Sequence, residues 1–191
     1  MRVAVVTDIP GNQRAFHAVL RDLKQVAPDL VLRRGDLAFG GARPAEIVDE
    51  IRALGLAGVL GNTEELLWSE ERLLEMASAH LKLAPLLGRL REMVGPMQAR
   101  IGHERLHWLK RLPPVYAGDG FAVVHASPKD PWRAPMANAT EEEIRNTYPE
   151  LGVRTHSCFV RCLFGTGARL RSSQFANFSL LQPKEDNNVR V

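Results

Sequence analysis

The sequence predicts an α/β fold in which parallel strands alternate with helices and carry polar residues at their carboxyl ends. Three observations carry that expectation. The apolar runs Val3-Ala-Val-Val-Thr-Asp8, Leu30-Val-Leu-Arg-Arg-Gly-Asp36 and Ala57-Gly-Val-Leu-Gly-Asn62 each end on a polar side chain. Between them lie two segments whose apolar positions recur at three- and four-residue steps, so strand, helix, strand, helix, strand is complete by Gly61. Right-handed crossovers make such strands parallel. A later run, Phe121-Ala-Val-Val, ends on His125 in the same manner. In open α/β sheets the carboxyl edge is where ligands bind, because loops converge there on a rigid support.

The elements follow in order. After the first strand, Gly11-Asn12 opens a helix with Phe16, Val19, Leu20, Leu23 and Val26 on its apolar face, and Pro28 ends it. Pro44 suits the first turn of a second helix, which runs through Ile47, Val48, Ile51 and Leu54 to a stop at Gly55. Residues 64–112 contain no convincing strand and read as a helical insertion of two or three helices beside the site. Leu66, Leu67, Leu73, Leu74, Leu81, Leu83, Leu86 and Leu87 supply its apolar faces. Pro113-Pro114 closes that insertion. Val115-Tyr-Ala, a Gly118-Asp-Gly120 turn and Phe121-Ala-Val-Val then read as a hairpin, which makes the second half of the sheet antiparallel. A last helix is expected over 138–150, capped by Asn138 or Thr140, with Glu141, Glu142 and Glu143 at its positive end. From about residue 163 Gly165, Gly167, Ser172, Ser173 and Asn177 interrupt any periodicity, so 163–191 reads as divergent or poorly folded.

At 191 residues and 45% hydrophobic, the chain suits one domain over 1–191 with a substantial core. No apolar run approaches the roughly 18 to 20 residues of a membrane helix, and the first residues open into a strand rather than a leader, so a cytoplasmic protein without a membrane partner is expected. Cys158 and Cys162 lie too close together to staple distant segments. The formal charge of +3 suits an anionic substrate. The basic residues are scattered, with no interleaved aromatic platform, which argues against nucleic acid as the main partner. Oligomer formation is left open.

Asp8, Asp36, Asn62, His125 and His156 together form an ordered set of metal ligands. Phosphate ester hydrolysis needs neutralisation of clustered negative charge and a strong nucleophile at neutral pH, and two divalent cations supply both. Carboxylate, amide and imidazole donors suit manganese first, with iron, nickel or zinc as alternatives, better than calcium. A carboxylate must lie between the two ions, and Asp36, in its Gly-Asp turn at mid-sheet, is the natural choice.

These residues resemble the calcineurin-like metallophosphoesterase superfamily and, within it, the small YfcE-like phosphodiesterases, over residues 1 to about 161. The family carries Asp-x-His-Gly-Asn, Gly-Asp, Gly-Asn, a strand ending in His, and Gly-His-x-His. The matching segments are Asp8-Ile-Pro-Gly-Asn12, Gly35-Asp36, Gly61-Asn62-Thr-Glu64, Val123-Val-His125-Ala-Ser-Pro128 and Val153-Arg-Thr-His156. The resemblance implies a four-layer α/β/β/α sandwich with two facing sheets. It gives Asp8 and His156 to a first metal, Asn62 and His125 to a second, and Asp36 to both, with Asp36, Asn62 and His125 as the catalytic set. Asn12, Thr63, Glu64 and Arg154 are the candidate contacts to a small phosphate-ester substrate.

Two positions depart from the family pattern. Pro10 replaces its first histidine, and Arg154 replaces the first imidazole of its last pair, so each metal loses a ligand. A non-catalytic scaffold of the same fold is therefore the alternative function. The altered ending also has a coding explanation. A base order such as G-GTG-TGC-GGA-CAC-ACT-CAT would encode Val-Cys-Gly-His-Thr-His, and read one base earlier would encode Gly-Val-Arg-Thr-His-Ser, the sequence of Gly152 to Ser157, so a frameshift upstream of Gly152 is the explanation expected.

His103-Glu104-Arg-Leu-His107 matches the His-Glu-x-x-His zinc pattern. Nothing nearby nominates a third ligand, and Leu106, Trp108, Leu109 and Leu112 make the segment an ordinary amphipathic helix. Ser127 lacks the Gly-x-Ser-x-Gly elbow of a nucleophile. His17 and His80 read as helical positions without chemistry.

Overall fold

The computed structural model describes residues 1–79, 81–136 and 138–149, together with the backbone of 154–159 and 177–182. His80, most of the segment after 149 and the side chains of Arg154 and His156 lie outside the described residues.

The amino-terminal half builds a parallel sheet in the order β1 (Val3–Val6), β2 (Leu30–Arg33), β3 (Ala57–Gly58). Val3 to Val6 pair with Leu30 to Arg33 in register, and Leu32 and Arg33 pair with Ala57 and Gly58. β3 is shorter than its apolar run. Val59 N still bonds Arg33 O at 3.1 Å, but Leu60 N turns to Pro113 O at 2.9 Å, outside this sheet. Arg33 reinforces the short pairing, since Nε and Nη1 donate to Leu56 O and Val59 O at 2.9 and 3.2 Å, and its guanidinium lies 5.2 Å from the Trp108 ring. Burial pushes the Arg33 pKa down to about 10, with Glu64 opposing the shift.

The crossovers are helical as expected. Helix α1 (Gln13–Val26) is capped by Asn12, whose side chain accepts from Ala15 N at 3.1 Å, and ends on Ala27 in the left-handed region. Helix α2 (Pro44–Ala53) starts on its proline. Phe16, Ile47 and Ile51 pack with Val6, Ile9 and Leu37 against one face of the sheet.

Over its described residues the insertion is built of helices joined by turns, with more elements than its leucine pattern suggested. It comprises α3 (Asn62–Glu65), α4 (Glu70–Ala79), a tight turn at Leu81–Leu83, α5 (Ala84–Ile101) and α6 (His103–Lys110). Leu66, Leu67, Leu73, Leu87, Met97, Ile101 and Leu109 form its own core, joined to Ala38, Phe39 and Val48.

The second sheet is antiparallel, in the order β4 (Val115–Gly118), β5 (Phe121–Val124), β7 (Asn177–Gln182), β6 (Arg154–Phe159). Val123 meets Leu32 and Val59, flanked by Val3, Leu30, Tyr116 and Phe121, so the two sheets pack face to face. Helix α7 (Glu141–Thr147) is shorter than expected because its cap is Thr140, which shares a capping box with Glu143. The result is a mixed α/β fold of two sheets with helices. No helix among the described residues is long and apolar enough to cross a membrane.

Candidate metal centre

Three loops at the carboxyl ends of β1, β2 and β3 meet, and two close backbone approaches make this possible. Ile9 N and Gly11 N bond Asp36 O and Leu37 O at 3.0 and 2.7 Å, which laces the first loop to the second. Gly35 lies with φ at +82° against the main chain of Gly61, where a β-carbon would collide. Asp36 is thereby delivered beside Asn62 and Thr63.

Asp8 and Asp36 adopt the same unusual conformation, with φ of +56° and +57°. Side chains other than glycine rarely take it, and such strain gathers where a side chain must be aimed. Asp8 is exposed, with Oδ2 accepting from Thr7 Oγ1 at 2.8 Å. Asp36 is largely enclosed, and its Oδ1 accepts from Thr63 N at 3.1 Å and Thr63 Oγ1 at 2.9 Å. Burial raises the Asp36 pKa and the charge of Asp8 adds to it, while His125 and the Thr63 bonds oppose.

His125 comes from the other sheet. Its Nδ1 faces Arg34 O at 2.5 Å, and because a carbonyl only accepts, that nitrogen donates. Nε2 faces Asn62 Oδ1 at 2.8 Å and Asp36 Oδ1 at 3.7 Å. Two donors each about 2.1 Å from one first-row ion and at right angles stand about 3.0 Å apart, so these separations fit a shared cation. The two neighbouring carboxylates, one held in a largely enclosed position, also call for positive charge. Asp36, Asn62 and His125 therefore suit a divalent ion, and the charge of Asp8 is felt at Asp36. The amide of Asn62 is essential to that set, for among the described residues no three His, Cys, Asp or Glu side chains gather as a metal cluster. Pro10 is exposed and brings no donor.

Glu64 requires a correction. As a candidate substrate contact it should face the open side, yet it is 0% exposed. Its Oε1 accepts from Leu37 N and Ala38 N at 2.6 and 3.2 Å, and its Oε2 from Asp36 N and Gly61 N at 2.8 and 3.1 Å. Burial and the charge of Asp36 raise its pKa, and those N–H donors oppose the rise. Glu64 thus shapes the Asp36 loop from within. Three of the four donors come from a loop distant in sequence and the fourth from Gly61 just before it, so the role is defined by the fold more than by any local pattern. Thr63 is turned to the Asp36 carboxylate, and the Asn12 oxygen is engaged as a helix cap.

The other sequence motifs show no second centre. Glu104 pairs with Arg52 at 2.9 Å, which takes it from any zinc role beside His103 and His107. Ser127 is buried, donating to Asp130 O at 2.9 Å and accepting from Asp130 N at 3.1 Å, so it turns the chain.

A parallel three-stranded sheet with carboxylates at its strand ends, facing an antiparallel sheet that supplies an imidazole, defines a phosphoesterase-like fold. The match to calcineurin-like phosphoesterases spans residues 1–151, and the chain belongs to that family, whose members use divalent metals. It is similar to the uncharacterized protein MJ0912 of Methanocaldococcus jannaschii, at 30% identity over 133 residues, 68% of this chain and 51% of the relative. Among solved structures it resembles a metallophosphoesterase from Sphaerobacter thermophilus, with a TM-score of 0.52, 27% identity, and coverage of 70% of this chain and 50% of that one. The chain therefore spans about half the length of these relatives.

Proposed function

We propose that the chain is a metal-dependent phosphoesterase that hydrolyses a small phosphodiester or phosphomonoester. The observation that carries this reading is the convergence of His125 Nε2 on Asn62 Oδ1 and Asp36 Oδ1, at 2.8 and 3.7 Å. Two divalent ions, manganese in first place, would lie about Asp36, with Asp8 and His156 holding one and Asn62 and His125 the other. When bound they supply positive charge to the phosphoryl group and an activated water for in-line attack. The chain's own residues do the rest. Thr63 binds one oxygen of Asp36 and so fixes the plane of the carboxylate. The Nδ1 bond of His125 aims the opposite nitrogen at the site. Enclosure of Asp36 limits its screening by water, which strengthens its hold on a cation.

The His125-Ala-Ser-Pro128 segment supports a YfcE-like phosphodiesterase within the family. A cytoplasmic setting is part of the same reading and rests on sequence composition alone.

Pro10 favours a second reading, a scaffold of the same fold that has given up its chemistry, because no side-chain donor stands there. One experiment separates the two. After manganese loading, elemental analysis is run beside turnover of bis-para-nitrophenyl phosphate, with Asp36→Ala and Asn62→Ala as controls. The enzyme reading expects one to two ions per chain and turnover that both substitutions abolish. Turnover that survives Asp36→Ala would refute the assignment, and absence of both metal and turnover would favour the scaffold.

A further inference from the structure

Arg34 is one residue from the Gly35-Asp36 turn, yet its side chain leaves the sheet to which it belongs. Successive residues of a strand face opposite sides, and the two arginines ending the β2 run divide accordingly. Arg33 goes to Leu56 O, Val59 O and the Trp108 ring. Arg34 crosses to the second sheet, where Nη1 donates to His125 O at 2.7 Å, while its own carbonyl accepts from His125 Nδ1 at 2.5 Å. The exchange is reciprocal: one residue holds both the main chain and the ring of the other.

We infer that Arg34 is a positioning residue that sets the distance between the two halves of the site, holding His125 from the second sheet against Asp36 and Asn62 from the first. This rests on the metallophosphoesterase reading of those three residues. The backbone of Asp36 is fixed by Glu64 within the first sheet's loops. His125 ends a strand of a different sheet, ninety-one positions after Arg34 in sequence, and needs a separate restraint. Its chain is gripped again one residue later, where Tyr148 Oη donates to Ala126 O at 2.8 Å. With the ring bonded through Nδ1 and the carbonyl held by the guanidinium, Nε2 has one direction left, toward Asn62 and Asp36. An apolar side chain would suit the surrounding Leu30, Val31 and Leu32 run, but it offers no donor for the His125 carbonyl.

The test uses the full chain as wild type, Arg34→Met and Arg34→Lys. Methionine keeps length and the residue's own carbonyl but removes the donor, and lysine restores a donor. In metal-free, imidazole-labelled protein, the Nδ1 proton of His125 should give a resolved, slowly exchanging NMR signal. In Arg34→Met it should exchange at least tenfold faster, with recovery in Arg34→Lys. Manganese affinity by calorimetry should fall about ten- to hundredfold in Arg34→Met, the range seen when a partner of a ligand is lost, and less in Arg34→Lys. An unchanged His125 signal in Arg34→Met overturns the inference, as does equal loss in both variants. If the wild type binds no manganese, the phosphoesterase reading fails while the metal-free NMR comparison still decides the role of Arg34.

Discussion

At the scale of single residues, the site depends on carboxylates used in two opposite ways. Asp8 and Asp36 end their strands in the left-handed region, where most side chains lose about 1 to 2 kcal/mol. Aspartate tolerates it better, and the bonds around it keep it there. Glu64 holds much of that geometry. Its four main-chain donors come from Asp36, Leu37, Ala38 and Gly61, so both loops close on one buried carboxylate. Removing it leaves buried N–H groups without acceptors, at about 1 to 3 kcal/mol for each that water does not reach. We expect Glu64→Ala to destabilise the protein by at least about 3 kcal/mol. Glu64→Gln should fare nearly as badly, because an amide nitrogen would face N–H donors. Urea unfolding measures both, and a Glu64→Gln variant within about 1 kcal/mol of wild type would remove Glu64 from its central position.

At the scale of elements, glycines show how position decides the sign of a substitution. Helix α5 contains Gly88 and Gly95 in its interior, and a β-carbon at either would meet nothing within 4 Å. Each costs the helix about 0.5 to 1 kcal/mol relative to alanine through backbone freedom in the unfolded chain. Gly88→Ala and Gly95→Ala should each stabilise by that amount, and the pair should be nearly additive, being about 10 Å apart along the helix. Gly35→Ala should do the reverse, since its positive φ and the main chain of Gly61 leave no room. Thermal unfolding of the three variants checks this. Loss of stability in the α5 variants would show that their outer face is packed against a neighbour in solution. Pro96 lies in the same helix and removes one main-chain donor there, so α5 owes its continuity to Leu87, Met97 and Ile101 in the insertion core.

At the scale of the whole molecule, what the sequence disclosed followed from how local each cause is. β1, β2 and the hairpin were legible because their apolar runs are continuous, and Asp8, Asp36, Asn62 and His125 because each ends such a run. The structure brings Asp36, Asn62 and His125 together across two sheets. Arg33 and Arg34 were hidden within an apolar strand because their partners lie in other elements. The short β3 was hidden because Leu60 finds its acceptor on Pro113. Glu64 read as a substrate contact because only the fold surrounds it with donors. The family match stops at residue 151, one position before the Gly152 to Ser157 segment that a one-base shift turns into a Gly-His-x-His ending. We propose that a shift upstream of Gly152 puts this segment in another frame, so that positions 154 to 157 read Arg-Thr-His-Ser where the original frame reads Gly-His-Thr-His. The coding DNA is then expected to carry, over these six codons, a base order that reads Val-Cys-Gly-His-Thr-His one base later, and to continue in that frame as a phosphoesterase-like sequence. Codons that cannot be so re-read would end the proposal. Restoring the frame should also raise manganese affinity over the present chain, because positions 154 to 157 would then read Gly-His-Thr-His, two imidazoles in place of one and no guanidinium whose charge repels the ion.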